Sequence, residues 1–210
     1  MTASMALGSG LPARTSEHSI EMSQAIRSSD ALVVIDPQID FLPGGSLPVQ
    51  QGDRIFRPLN AVMPKFRRVY ATRDWHPIKH KSFKTEGGPW PHHCVQNTPG
   101  AKFSPKLNID RIHLVISKGT DADADGYSAF DRTDFDDQLR ADGVGRLFVA
   151  GLATDYCVKA TALEARRIGF DVIVLTDAIA AVNARPGDEE AALAAMHDAG
   201  CLLIPTTELV

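Results

Sequence analysis

Six short apolar runs, most of them rich in β-branched residues, constrain this chain more than any other feature. Ala31-Leu-Val-Val-Ile35 is continuous, as expected for a strand covered on both faces. Arg68-Val-Tyr-Ala-Thr72, Ile112-His-Leu-Val-Ile116, Arg146-Leu-Phe-Val-Ala150, Asp171-Val-Ile-Val-Leu175 and Cys201-Leu-Leu-Ile204 repeat the theme. Helical patterns fall between them at about 55–66, 131–141, 155–168 and 188–199. Gly143, Gly169 and Gly200 each stand just before the next run, where a glycine closes a helix. Strand and helix in alternation imply right-handed crossovers and a mostly parallel sheet. The expected fold is a three-layer α/β/α domain with a sheet of about six strands, spanning residues 20–210. Residues 1–19, rich in Ser, Thr, Gly and Ala, are expected to form a disordered N-terminal tail.

Composition narrows the function classes. With 210 residues, 44% of them hydrophobic, the chain can bury roughly 70% of its unfolded surface without disulfide staples. Asp and Glu number 26 against 22 Lys and Arg, with no basic block, which argues against a nucleic-acid partner. No apolar run is long enough to span a bilayer. Three irregularly spaced cysteines and no basic-then-apolar leader point to a cytoplasmic protein.

In an open α/β sheet the ligand crevice lies outside the carboxyl ends of the strands. Asp36 follows the first run, Arg73-Asp74-Trp75-His76 the second, Ser117-Lys118-Gly119 the third, and Gly151-Leu-Ala-Thr-Asp-Tyr-Cys157 the fourth. One sheet edge thus gathers a carboxylate, an ammonium and a thiol. Thr154 or Asp155 suits an N-cap, which would set Cys157 in the first helical turn, where backbone N–H groups lower a thiol pKa. Lys118 nearby would favour the thiolate further. Cys201 opens an apolar strand and reads as core.

The stretch from about 74 to 110 has no clear period and carries His76, His80, His92, His93 and both tryptophans. A loop that long within a compact domain is usually functional. Asp74 and His76, two apart in an extended segment, project to one face and suit two ligands of one metal. A third ligand from the 92–93 pair would leave coordination positions open, as at a catalytic site. A structural zinc site using Cys94, or unligated histidines on a polar loop, remain alternatives at this point. The acidic run Thr120-Asp-Ala-Asp-Ala-Asp-Gly126 suggests a calcium loop, but an EF-hand needs glutamate where Arg132 stands, so a solvated loop fits better.

Together these residues resemble the nicotinamidase and pyrazinamidase branch of the isochorismatase-like cysteine hydrolases. The matching segments are Val34-Ile-Asp-Pro-Gln-Ile-Asp-Phe41-Leu-Pro-Gly-Gly-Ser-Leu47, Thr72-Arg-Asp-Trp-His-Pro77, Trp90-Pro-His-His-Cys94, Lys118-Gly119 and Gly151-Leu-Ala-Thr-Asp-Tyr-Cys-Val158. The resemblance implies hydrolysis of nicotinamide to nicotinate and ammonia through a thioester, within NAD salvage. By that resemblance Cys157 is the nucleophile, Asp36 the general acid/base and Lys118 the third member of the triad. Asp74, His76 and His93 become ligands of one divalent ion, Zn²⁺ first, with Fe²⁺ and Mn²⁺ as alternatives. His80 is left as a ligand or as a support for the metal. Phe41, Trp90 and Tyr127 become aromatic walls of the pocket. A cis peptide at Leu152–Ala153 is implied, with the Ala153 and Cys157 N–H groups forming an oxyanion hole. The implied partner is a small nicotinamide- or pyrazinamide-like amide; the oligomeric state, a homo-oligomer included, stays open.

Two other readings compete. Another amidase or carbamoyl hydrolase would share Asp36, Lys118 and Cys157, so the metal triplet is the discriminator. A zinc-binding or redox module without turnover would require Cys94 as a ligand.

Overall fold

The computed structural model describes residues 25–210; the tail expected over 1–19 lies outside them. Six strands, β1 (Asp30–Ile35), β2 (Arg68–Asp74), β3 (Leu114–Lys118), β4 (Arg146–Leu152), β5 (Asp171–Ala180) and β6 (Leu202–Ile204), form one sheet. The spatial order is β3-β2-β1-β4-β5-β6, and every neighbouring pair is parallel. The chain therefore winds outward from β1 to one edge, returns, and winds outward from β4 to the other. The switch point lies between β1 and β4, the place where such sheets bind ligands.

Side chains alternate between the two faces, as a pleated strand requires. Leu32 and Val34 of β1 pack with Phe148 and Ala150 of β4 beneath helix α1 (Phe56–Val62). Ala31, Val33 and Ile35 pack with Leu147 and Val149 on the opposite face. That face is covered by α2 (Phe135–Ala141), α3 (Lys159–Arg167) and α4 (Asp188–Asp198), through residues such as Leu139, Ala162 and Met196. The result is the three-layer α/β/α arrangement. Among the described residues no helix is long and apolar enough to cross a membrane.

Several boundaries differ from the periodicity. The helix expected over 55–66 breaks into a 3-10 turn (Gly52–Ile55), α1, and a second 3-10 turn (Met63–Lys65) containing Pro64, which lacks the N–H that would continue an α-helix. The helix expected over 131–141 begins only at Phe135, and the third strand at Leu114. β5 runs on to Ala180, past a register shift opposite Val149 and Gly151. Gly151 has φ 120°, and a Cβ there would meet the Ile35 carbonyl oxygen at 2.1 Å, so only glycine lets β4 lie this close to β1.

The stretch after β2 contains neither long helix nor strand. It folds back through single bridges, His76 with Val95, Phe83 with Trp90, and Gln38 with Phe103. His76 N–H donates to the Cys94 carbonyl (3.0 Å) and Gln96 N–H to the His76 carbonyl (2.9 Å), which returns His93 to the end of β2.

Candidate active site

At the carboxyl end of β1 the backbone turns abruptly, with Asp36 at φ 45°. Its carboxylate is fully buried, and Oδ1 accepts a hydrogen bond from the Thr72 hydroxyl (2.6 Å). Oδ2 forms an ion pair with Lys118 Nζ at 2.8 Å. The Lys118 ammonium, itself buried at the end of β3, also pairs with Asp74, donates to the Gly126 carbonyl (3.0 Å) and lies 3.3 Å from Cys157 Sγ. One atom each of Asp36, Asp74 and Cys157 fall within 4.8 Å of one another. Three strand ends and the turn after β4 thus converge on a single point beside the switch.

The surroundings of Cys157 correct the sequence expectation. The residues before α3 form a π-helical turn, Thr154–Val158, and neither Thr154 nor Asp155 caps it. The Asp155 carboxylate instead accepts the N–H groups of Val182 (3.0 Å) and Asn183 (2.9 Å), tying the turn to the end of β5. The Leu152–Ala153 peptide is cis. Burial pushes the Cys157 thiol well up, against the pull of Lys118, and the Asp36 and Asp74 carboxylates add to the rise. Burial also pushes the Asp36 carboxyl up, opposed by Lys118, which makes this carboxylate a stronger base than one in water. Asp36 and Asp74 hold the Lys118 ammonium charged despite its burial.

A second cluster adjoins the first through Asp74. Burial raises the Asp74 carboxyl, but Lys118, then His76 and His93, pull it well below the usual carboxylate range. His76 Nε2 lies 3.5 Å from Asp74 Oδ2. One donor atom each of Asp74, His76 and His93 sit within 4.8 Å of one another. His76 Nδ1 faces the Gly119 carbonyl (2.9 Å) and His93 Nδ1 the Pro91 carbonyl (2.8 Å). A carbonyl only accepts, so in each neutral ring Nδ1 carries the proton and Nε2 offers its lone pair, the usual support for a metal-binding imidazole. Gly119 is required here, because a Cβ would meet His76 Cε1 at 2.4 Å. One carboxylate and two imidazoles so arranged suit a divalent cation.

The remaining expected residues fall as follows. His80 is outside the three-donor cluster; its Nδ1 faces the Ser82 hydroxyl (2.7 Å) and its ring lies 4.0 Å from that of His76. Burial lowers its pKa to about 4. Cys94 packs in the apolar cluster beneath α1 and supplies no donor atom to the cluster. The loop over 120–126 keeps Asp123 and Asp125 exposed and Gly126 buried against Lys118. Phe41, Trp90 and Tyr127 line one pocket with Asp74, His93 and Cys157. Trp90 Nε1–H donates to the Tyr127 hydroxyl (3.0 Å). Tyr156 completes this wall, its ring edge-on to Trp90 at 5.1 Å. Sequence reasoning missed Tyr156, although it stands beside Cys157. A broader groove outside β3, bounded by Arg73, Trp75, Lys102 and Val115, contains none of these titratable clusters.

An all-parallel doubly wound sheet with this thiol, carboxylate and ammonium at its switch point defines an isochorismatase-like α/β protein. Residues 30–208 match the isochorismatase domain, and the chain belongs to that family. It is 38% identical over 198 residues to the nicotinamidase of Escherichia coli, covering 82% of this chain and 93% of the relative. Similarity to the nicotinamidase/pyrazinamidase of Mycobacterium tuberculosis is 39% identity over 165 residues, covering 73% and 88%. Among solved structures, PnC1 from L. infantum in complex with nicotinate superposes with TM-score 0.84 at 44% identity, covering 89% of this chain and 98% of that one. The pyrazinamidase of Pyrococcus horikoshii in complex with zinc gives 0.78 at 48% identity, covering 84% and 99%.

Proposed function

We propose that the protein is a nicotinamidase, hydrolysing nicotinamide to nicotinate and ammonia in NAD salvage, with pyrazinamide as a related substrate. One observation carries this reading: Asp74 joins the Asp36–Lys118–Cys157 cluster to the Asp74–His76–His93 cluster, and Asp74, His93 and Cys157 line one aromatic pocket. The nicotinate, zinc and nicotinaldehyde complexes of similar proteins support it. A carbamoyl hydrolase of the same fold would use the first cluster without needing the second.

The amide carbonyl is a weak electrophile with a poor leaving group, so nucleophile, proton and oxyanion stabilisation must act together. Asp36 accepts the Cys157 proton as Sγ attacks the carboxamide carbon, and Lys118, 3.3 Å from Sγ, offsets the negative charge. The Ala153 and Cys157 N–H groups receive the tetrahedral oxyanion, each contributing about 3 kcal/mol. Asp36 gives the proton to the amide nitrogen as the C–N bond breaks and ammonia leaves. It then draws a proton from water as the water oxygen attacks the thioester, and returns it to Cys157 Sγ as the C–S bond breaks and nicotinate is released. Phe41, Trp90, Tyr127 and Tyr156 enclose the ring and exclude bulk water. When bound at Asp74, His76 and His93, a divalent ion, Zn²⁺ in our reading, supplies a Lewis-acid anchor for the pyridine nitrogen. Three free, buried cysteines suit a reducing compartment, and we assign the protein to the cytoplasm.

Ammonia release from nicotinamide by the metal-replete protein, with and without prior chelation, tests the reading. Release that chelation suppresses supports substrate and metal together. No release from folded, metal-loaded protein sends the substrate assignment to another amide.

A further inference from the structure

The turn after β1 carries two buried polar side chains that the mechanism leaves unused. β1 pairs with β2 only as far as Val34 against Ala71, because the chain bends away at Asp36. The end of β2 is then paired with β3 on one side, Asp74 opposite Lys118, and has lost its strand partner on the other. Gln38, 0% exposed, fills that place. Its Oε1 accepts the Asp74 N–H (2.7 Å), and its Nε2 donates to the Asp74 carbonyl (2.8 Å) and to the Ala101 carbonyl (2.9 Å). The side-chain amide thereby continues the ladder as a backbone peptide would, satisfying both polar groups of a residue with no β1 neighbour.

Two residues on, Asp40 does the same for the other ligand segment. Its Oδ2 accepts the Cys94 N–H at 2.7 Å, while Oδ1 accepts the Ser46 hydroxyl (2.9 Å) and the Ser46 N–H (3.3 Å). Cys94 has φ 46°, a left-handed conformation uncommon for a residue with a side chain. That residue follows His93 directly, and its carbonyl accepts the His76 N–H. Fixing the Cys94 peptide therefore fixes the backbone from which both imidazoles project.

We infer that Gln38 and Asp40 are positioning residues of the metal centre, one turn holding the backbones of Asp74 and His93 from a segment that contributes no ligand. This inference rests on the reading of Asp74, His76 and His93 as a metal site. It assigns a task to two polar residues buried between Asp36 and Phe41, and it explains how a site built on a long irregular stretch keeps its donor atoms together.

The test is Zn²⁺ affinity of the full chain, stripped by chelation and titrated against a competing chromophoric chelator, with folding checked by near-ultraviolet circular dichroism. Partners that orient metal ligands typically contribute about 10- to 100-fold in affinity. Gln38→Met and Asp40→Ala are expected to weaken Zn²⁺ binding by about that factor. Asp40→Asn keeps an acceptor for the Cys94 N–H and is expected to stay within a few-fold of wild type. Gln38→Glu keeps the acceptor for the Asp74 N–H but loses the donor between two carbonyls, and is expected to weaken binding by about 10-fold. These two variants decide the matter should either of the harsher ones fail to fold. A merely structural role would lower the melting temperature of the stripped protein and leave Zn²⁺ affinity of the folded fraction unchanged; that result overturns the inference. His76→Ala separates the two claims. If it binds Zn²⁺ like wild type, the metal reading itself fails; if it loses Zn²⁺ while Gln38→Met, Gln38→Glu and Asp40→Ala keep it, only the positioning role fails.

Discussion

The two clusters that meet at Asp74 are built by different means. Asp36 and Lys118 stand at the ends of parallel strands whose register is fixed by continuous ladders, and Cys157 follows β4 after one turn. His76 and His93 belong to a stretch without a long element, held by single bridges and by side chains bonded to backbone. The first cluster inherits its geometry from the sheet. The second needs dedicated supports, so its geometry can be loosened without disturbing the sheet.

The largest expected effect tests the first cluster. Cys157→Ala should reduce amide hydrolysis on the order of 10⁴-fold or more while leaving metal content unchanged. Substantial residual turnover by that variant would refute a covalent route. His93→Ala is the counterpart in the second cluster: Zn²⁺ affinity should fall by at least about 100-fold, while iodoacetamide still alkylates Cys157 at the wild-type rate. Slower alkylation would mean that the clusters are not separable.

A pH series sharpens the contrast. Burial lowers the His76 imidazole, but the Asp74 carboxylate outweighs it and raises its pKa above the usual imidazole value. Asp74 stays ionised throughout, and burial lowers His93. Metal must displace the His76 proton, so apparent Zn²⁺ affinity should fall as pH drops through the raised pKa, by about tenfold per unit. An affinity flat from about pH 8 to 6 would contradict that sign. The smallest effect is expected from Thr72→Val, which removes the hydrogen bond to Asp36 Oδ1. Losing a donor to the charged form raises a carboxyl pKa further. The acid limb of kcat/KM should therefore move to higher pH, with a loss of about tenfold or less at neutrality. An unshifted limb would separate Asp36 from the step it is assigned.

The same contrast governs how much could be read from the sequence. All six strands were legible because each is a short apolar run, and the residues after them could be named. Alternation implied a mostly parallel sheet but not the spatial order of the strands. Helix 55–66 was overextended because an apolar period continues through Pro64, where hydrogen bonding cannot. For the thiol, position in the chain suggests helix N–H groups that lower its pKa, whereas the burial that raises it is a property of the assembled sheet. Gln38 and Asp40 were invisible because their partners lie 36 and 54 residues away and are backbone atoms, which carry no residue identity. Tyr156 sat in plain view, with nothing in its spacing to mark it as a wall.

Lys118 stands on the outermost strand of one side of the sheet, where Ile116 and Lys118 are buried and Val115 faces solvent. With a side-chain period of two, a slip of one residue between β3 and β2 would replace the ammonium with Ser117 or Gly119 and turn Lys118 away from the carboxylates. The edge strand is therefore a ruler for charge placement. A single-residue insertion or deletion ahead of β3, harmless by the standards of most connecting segments, must be absorbed before Leu114 if the ammonium is to remain where it stands.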